Sequence, residues 1–211
     1  KVTPLAPQIV EQLIHGVPHR YQALIIFGAG TGVRIGEAIG VTTDRIDWLR
    51  RTVLIDRQLT GVKDGLPAFG PVKDQKNRPR TIPLGDVVIG ALADHVRKFG
   101  TGPEGLVFTS AKGGPVWQPS FSRIWSPVAG PLGIPAGDGF HQLRHFYAST
   151  LIRAGESVKV VQERLGHASA AMTLDVYSHL WPEDEERTRS AVDRVLGDLV
   201  SPPCHPEEAV D

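Results

Sequence analysis

The sequence predicts a mainly helical α+β domain with one small three-stranded antiparallel sheet. Three observations predict it. Stretches with apolar residues at helical spacing recur along the chain, as in Val87, Val88, Ala91, Leu92 and Val96. Strand-like runs rich in β-branched residues are confined to residues 46–82. The Gly- and Pro-rich stretch 100–139 has core-type residues on both sides, so it connects parts of one domain and does not separate two.

Taken in order, residues 6–13 and 19–29 read as helices, and 34–40 as a short third one that starts at Arg34. Residues 46–56, with Trp48, Leu49, Val53, Leu54 and Ile55, read as a strand with a turn near Arg50 and Arg51. Residues 57–63 and 78–82 would complete the sheet, and the loop between them carries Lys73. An amphipathic helix follows over 86–99, then a short helix around 120–126. Gly139 and Gly155 bracket a helix over 141–154, and Gly166 closes a second over 158–165. A further helix is expected around 173–179. A terminal one spans 183–200, with Val192, Val195, Leu196, Leu199 and Val200 as its apolar stripe. The tail 201–211 is expected to be disordered.

Composition limits the function classes. At 211 residues with 41% hydrophobic content the chain can bury a sizeable core in one or two compact units. No stretch approaches the roughly 20 apolar residues of a membrane span. The start shows no signal-peptide pattern, and the single cysteine, Cys204, excludes an internal disulfide framework, so a reducing cytoplasm is expected. Lys plus Arg equals Asp plus Glu, 23 each, but nine of the acids and only three arginines follow Trp181. Residues 1–181 therefore hold 20 bases against 14 acids. Lys63, Lys73, Lys76, Arg78 and Arg80 concentrate positive charge in residues 63–80, as a surface that meets a polyanion requires.

The residues that carry chemistry are Thr31-Gly32-Val33-Arg34-Ile35-Gly36-Glu37, then His141-Gln142-Leu143-Arg144-His145, Leu165-Gly166-His167 and Tyr177. A phosphodiester under attack gathers charge on its non-bridging oxygens, and that charge must meet donors already in position. Arginine suits this task, with a planar fork that stays protonated. Arg34 and Arg144 could clamp one phosphate from two sides. A tyrosine hydroxyl, with an ordinary pKa near 10, needs a base or a cationic field before it attacks. His141 and Arg144 stand three apart at a helix start, where free N–H groups and the helix dipole favour anions.

Other readings of these residues are weaker. His141 and His145, four apart, suit a zinc site, but the metalloprotease pattern needs Glu where Gln142 stands. The run Gly28-Ala29-Gly30-Thr31-Gly32-Val33 misses the third glycine of a dinucleotide fingerprint. His145 and His179 read as structural or surface residues, and Cys204 lacks a partner base.

In order and spacing, these motifs resemble the catalytic domain of tyrosine recombinases, the phage-integrase-like enzymes, over nearly the whole chain. The resemblance implies a tyrosine-recombinase-like catalytic domain over 1–181 that cleaves and rejoins double-stranded DNA without a nucleotide cofactor or metal. Arg34 and Arg144 resemble the two phosphate-binding arginines, Tyr177 the nucleophile, His141 the acid-base histidine and His167 the second histidine donor. Glu37 resembles a bracing residue. The family's leaving-group lysine is best matched by Lys73, with Lys76 as the alternative. The resemblance also implies a homo-tetramer on paired sites, a terminal helix, 182–200, passed between protomers, and an amino-terminal DNA-clamping domain that these residues do not include. Type IB topoisomerases share much of this chemistry, and a regulator on the same scaffold would keep the grip without the reaction.

Overall fold

The computed structural model describes residues 2–72, 79–135, 137–181 and 185–200. The chain forms two units, 1–180 and 181–211. The second contributes one described helix, α9 (Glu185–Val200).

The first unit is mainly helical with small antiparallel sheets, as the sequence predicts. Its centre is α2 (His19–Thr31), which buries Tyr21, Leu24, Ile25, Phe27 and Thr31 on several sides of the helix. A helix apolar around most of its circumference belongs inside a core. It packs against α1 (Pro7–Gly16), α4 (Asp86–Phe99) and α6 (His141–Arg153). Between α2 and α4, Phe27, Phe108 and His95 pack ring to ring, and His95 Nε2 lies 3.1 Å from the Val107 carbonyl oxygen. A second aromatic group, Phe121 and Trp125 of α5 (Gln118–Ala129) with Phe140, closes the core beneath the start of α6.

The sheet differs from the sequence reading. A three-stranded antiparallel sheet exists, but its order is β1 (Ile46–Asp47), β2 (Thr52–Ile55), β5 (Arg80–Pro83). The segment expected as its third strand, β3 (Arg57–Lys63), pairs instead with β4 (Leu66–Pro71) in a separate hairpin. The reason lies in the pairing of β2: one edge takes β1 and the other β5, with Val53 opposite both Ile46 and Ile82, so no edge remains for β3. Pro67, Gly70 and Pro71 hid β4, because these residues are depleted in strands. The turn was readable, however: Asp64 and Gly65 both take positive φ, 53° and 79°, as a type I′ hairpin turn demands.

The later helices follow the expected order. α7 (Val158–Leu165) starts at Ser157, whose hydroxyl accepts from the Val160 N–H, and ends at Gly166. α8 (Ala170–Tyr177) starts at Ser169, which caps Met172 N–H, and ends at Tyr177. It begins three residues before the predicted helix, and 178–180 continue as a 3-10 turn. Among the described residues no helix is long and apolar enough to cross a membrane.

Gly32 joins this scaffold to the chemistry. It closes α2 with φ 64°, and a Cβ there would stand 2.5 Å from Tyr147 Cδ1. Left-handed backbone costs a side-chain-bearing residue about 1–2 kcal/mol, and the ring contact adds to it. Gly32→Ala is expected to lower unfolding free energy by about 1–3 kcal/mol in urea titration. An unchanged midpoint would show that this turn tolerates a side chain.

Candidate active site

Arg34 is the N-cap of α3 (Ile35–Ile39). Three residues on, Glu37 turns back so that its Oε2 accepts from the Arg34 backbone N–H at 2.9 Å, while Oε1 lies 3.5 Å from Arg34 Nη1. This is the reciprocal geometry of a capped helix start. The Glu37 side chain is fully buried, and a buried carboxylate needs partners. Arg80 of β5 supplies them, donating from Nη1 at 3.1 Å and Nη2 at 2.6 Å. Burial pushes the Glu37 pKa up, but hydrogen bonds and charge from Arg80, with Arg34 behind, hold it below the usual carboxylate range.

Arg80 reaches further. Its Nε donates to the Arg164 carbonyl at 3.1 Å, and its side chain lies against Gly166, where a Cβ would be 3.1 Å from Arg80 Cδ. One guanidinium thus links the start of α3, strand β5 and the end of α7. The next residue after Gly166 is His167.

Arg144 lies in α6 and is 1% exposed. Its Nη1 donates to the Gly32 carbonyl at 2.8 Å and its Nη2 to the Leu165 carbonyl at 2.6 Å. Two helix ends, of α2 and α7, therefore fix the guanidinium before any ligand arrives. Burial, with the charges of Arg34 and Arg80, presses its pKa down to about 9, so it remains a cation at neutral pH.

His141 occupies the first turn of α6 and keeps an exposed edge. Burial of the rest of the ring, followed by the charges of His145, Arg144 and Arg34, lowers its pKa to about 4. His167 sits in the turn after α7, with Nδ1 2.9 Å from Thr173 Oγ1 and its backbone held on both sides by Gln162. Burial, Arg144 and Arg34 lower it to about 3. Both rings are neutral at pH 7 in a field of guanidinium charge.

Tyr177 ends α8 and is 1% exposed. Its ring lies nearly parallel to that of His167, 13° apart with centroids separated by 6.4 Å. Burial raises the phenol to about 12, against the pull of Arg144. Its hydroxyl lies 2.7 Å from His145 Nδ1. His145, which the sequence reads as a structural or surface residue, is thus the hydrogen-bond partner of the tyrosine. His145 also packs edge to face against His141, with centroids 4.7 Å apart. His179 instead faces the Val2 carbonyl, 2.9 Å away, at the surface.

The structure thus brings Arg34, Glu37, His141, Arg144, His167 and Tyr177 into one linked set. Lys73 and Lys76 lie outside the described residues, as does the tail 201–211. Sequence reading missed Arg80 as the clasp on Glu37 and His145 as the partner of Tyr177. His145 had one signal, its place four residues after His141; the contact itself joins residues 32 apart. Among the described residues no three His, Cys, Asp or Glu side chains are grouped to hold a metal ion. A cavity of about 580 Å³ opens beside Arg34 and His141, between α3, β3 and α5, with Phe121 and Trp125 in its wall.

A model of the phage integrase family matches residues 5–184. The chain is 36% identical over 154 residues to tyrosine recombinase XerD of Mycobacterium tuberculosis, a match covering 73% of this chain and 46% of that protein. It is 27% identical over 186 residues to the tyrosine recombinase XerC-like protein of Caldanaerobacter subterraneus subsp. tengcongensis, covering 79% and 47% respectively. The chain therefore spans just under half the length of these relatives. Among solved structures, the Tn1549 transposon integrase in complex with a circular intermediate DNA has a TM-score of 0.74 at 21% identity, over 91% of this chain and 65% of that one. The catalytic domain of bacteriophage HP1 integrase gives a TM-score of 0.62 at 19% identity, over 97% and 100%. Both share the fold.

Two outcomes follow from the buried charges. Arg80→Ala strands the Glu37 carboxylate and is expected to cost about 3–5 kcal/mol in urea unfolding, with Arg80→Lys losing less; wild-type stability in the alanine variant would remove Arg80 as the clasp. The second concerns pH. The folded pKa of His167 lies below its unfolded value of 6.5, so between about 3 and 6.5 the unfolded chain binds more protons and stability rises with pH. The depressed Glu37 adds stability that is complete above 4.5 and is lost as pH falls through its folded pKa. His167→Asn is expected to flatten the slope of unfolding free energy between pH 6 and 5 by up to about 1.4 kcal/mol per unit. An unaltered slope in that variant would assign the acid sensitivity elsewhere.

Proposed function

The chain belongs to the phage integrase family, and on that premise we propose that it is the catalytic part of a site-specific DNA recombinase, with Tyr177 as the nucleophile. The observation that carries this reading is the Tyr177 hydroxyl, hydrogen-bonded to an imidazole and buried in the field of Arg144.

The substrate is a phosphodiester of double-stranded DNA. Arg34 and Arg144 hold its non-bridging oxygens, the charge that grows during attack. Burial first, and the guanidinium charges after it, keep His141 and His167 neutral; an arriving phosphate anion offsets those charges, so both gain affinity for protons where donors are needed. The Tyr177 oxygen bonds to phosphorus, the bond to the 5′ oxygen breaks, and a 3′-phosphotyrosyl link remains. In the family pattern the departing oxygen takes its proton from a lysine, matched by Lys73 or else Lys76. A 5′ hydroxyl from a second duplex then attacks the link and frees Tyr177. The energy of the broken bond is kept in the protein–DNA link, so no nucleotide cofactor is consumed.

The same reading extends to assembly. Residues 1–181 form the catalytic domain, and the segment 182–200, which carries the amphipathic helix α9, passes between protomers in a tetramer on paired DNA sites. The Tn1549 transposon integrase, which shares the fold, is in complex with a circular intermediate DNA in its solved structure, which supports DNA as the partner. A cytoplasmic location suits a chain with one cysteine that acts on bacterial or phage DNA.

The test starts from a random duplex pool selected on the 211-residue chain. Duplexes built from the enriched sequence, nicked beside the cleaved bond, should trap a covalent protein–DNA adduct visible in denaturing gels. Tyr177→Phe should abolish the adduct while duplex affinity changes by less than about twofold. An adduct formed by the phenylalanine variant would move the nucleophile to another residue.

A further inference from the structure

We propose that His145 is the base that takes the proton from the Tyr177 hydroxyl. The inference rests on the reading above, with Tyr177 as nucleophile, and adds a catalytic residue to it.

Attack requires the tyrosine to lose its proton, and burial makes that harder than in water. Two imidazoles flank the ring, His145 and His167, and a third, His141, packs on His145; their geometry separates them. His167 lies nearly parallel to the Tyr177 ring and commits Nδ1 to Thr173. His141 packs edge to face on the His145 ring, with centroids 4.7 Å apart. Of the three, His145 is the one whose ring nitrogen meets the hydroxyl, Nδ1 to Oη at 2.7 Å, within the range a base needs.

The protonation state fits the task. Burial and then the charge of Arg144 lower the His145 pKa below its ordinary value, against a small opposing pull from Asp138, so the ring is neutral at pH 7. With its proton on Nε2, the neutral ring presents a lone pair at Nδ1, and the tyrosine O–H donates to it. The charged groups around this contact are Arg144 on α6 and Asp138 just before it, and the titratable but neutral ones are His141 on α6 and Tyr177 on α8. Arg144 stabilises the tyrosinate as it forms and disfavours the imidazolium, so the proton returns readily when the link is broken again.

In the forward step the Oη–H bond breaks and its proton moves to His145 Nδ1, as Oη donates its electron pair to phosphorus. The bond from phosphorus to the 5′ oxygen breaks with both electrons going to that oxygen, which is protonated by the acid named above. Rejoining reverses each transfer, and the His145 imidazolium reprotonates Oη. His141, Arg144 and His145 stand at i, i+3 and i+4 on α6, so one helix face presents phosphate clamp and base together.

Single-turnover cleavage of the nicked duplex described above tests this. His145→Asn keeps a hydrogen-bonding atom near the Nδ1 position and holds no usable proton affinity. It is expected to slow adduct formation about 100-fold with duplex affinity within about twofold of wild type. The deficit should shrink as pH rises and hydroxide takes over, and added imidazole should restore part of the rate to His145→Ala. A duplex with sulfur as the bridging 5′ atom, whose thiolate leaves without a proton, should not rescue either variant. Cleavage by His145→Asn at the wild-type rate or faster would overturn the proposal, making the contact a latch. A slow rate untouched by both pH and imidazole would also overturn it, leaving a structural role. If wild type itself forms no Tyr177-dependent adduct, the reading of the whole site fails; if wild type and His145→Asn form it equally, only this inference does.

Discussion

The site is organised around an imbalance of buried charge: three guanidiniums, of Arg34, Arg80 and Arg144, face one carboxylate, Glu37. A half-buried or buried cation costs free energy unless its donors are satisfied, and each arginine solves this differently. Arg80 takes both oxygens of Glu37 and a helix-end carbonyl. Arg144 donates to two backbone carbonyls and, among the described residues, forms no ion pair with a carboxylate, so its charge is solvated without being cancelled. The residual positive potential is what a phosphate would neutralise. Because the carbonyls belong to the ends of α2 and α7, forming the site and packing those helices on α6 are one event.

That imbalance sets the state of every other polar group nearby. His141, His145 and His167 are all pushed below their ordinary pKa, each by burial first and by Arg144 among the charges that follow. Neutral imidazoles can accept protons as well as donate them, whereas imidazolium rings in the same places would repel the arginines and could only donate. The tyrosine responds in the opposite sense, raised by burial and lowered by Arg144. Low dielectric and cationic field therefore compete at the hydroxyl, and burial wins in the resting protein. A base in direct contact shifts that balance only while the proton is being moved.

How much of this was legible in the sequence depends on the range of the interaction. Helices α4 and α7 were read at their observed ends because cap and periodicity are local: Gly166 and the stripe through Val88 and Leu92 lie within the elements they define. The start of α8 was missed although Ser169 caps it, because the residues behind carry little amphipathic pattern. The sheet was misassembled because Leu66–Pro71 has the composition of a loop and becomes a strand only when β3 is there to pair with it. Among the residues that the structure draws into one linked set, Arg34, His141, Arg144, His167 and Tyr177 were singled out by order and spacing. Arg80 was noted only as part of a basic cluster, since nothing within four residues of it predicts a carboxylate 43 positions away. His145 was set aside because an isolated histidine on a helix usually has a structural explanation. The lysine expected on the hairpin falls in a segment outside the described residues.

The two residues that sequence reading missed share a property. Neither Arg80 nor His145 touches its partner through local chain geometry; each bridges elements that the core alone could bring together in several registers. Hydrophobic packing is tolerant of small slides between helices, but a bidentate pair or a 2.7 Å hydrogen bond is not. Arg80 fixes β5 and the α7 end against α3, which sets His167 relative to Arg34. The pair of His145 and Tyr177 fixes α6 against α8, which sets the hydroxyl relative to Arg144. Two polar contacts thus convert a tolerant helical core into a site with defined distances. Loss of either would disturb the geometry among Arg34, Arg144 and Tyr177 before it unfolded the chain.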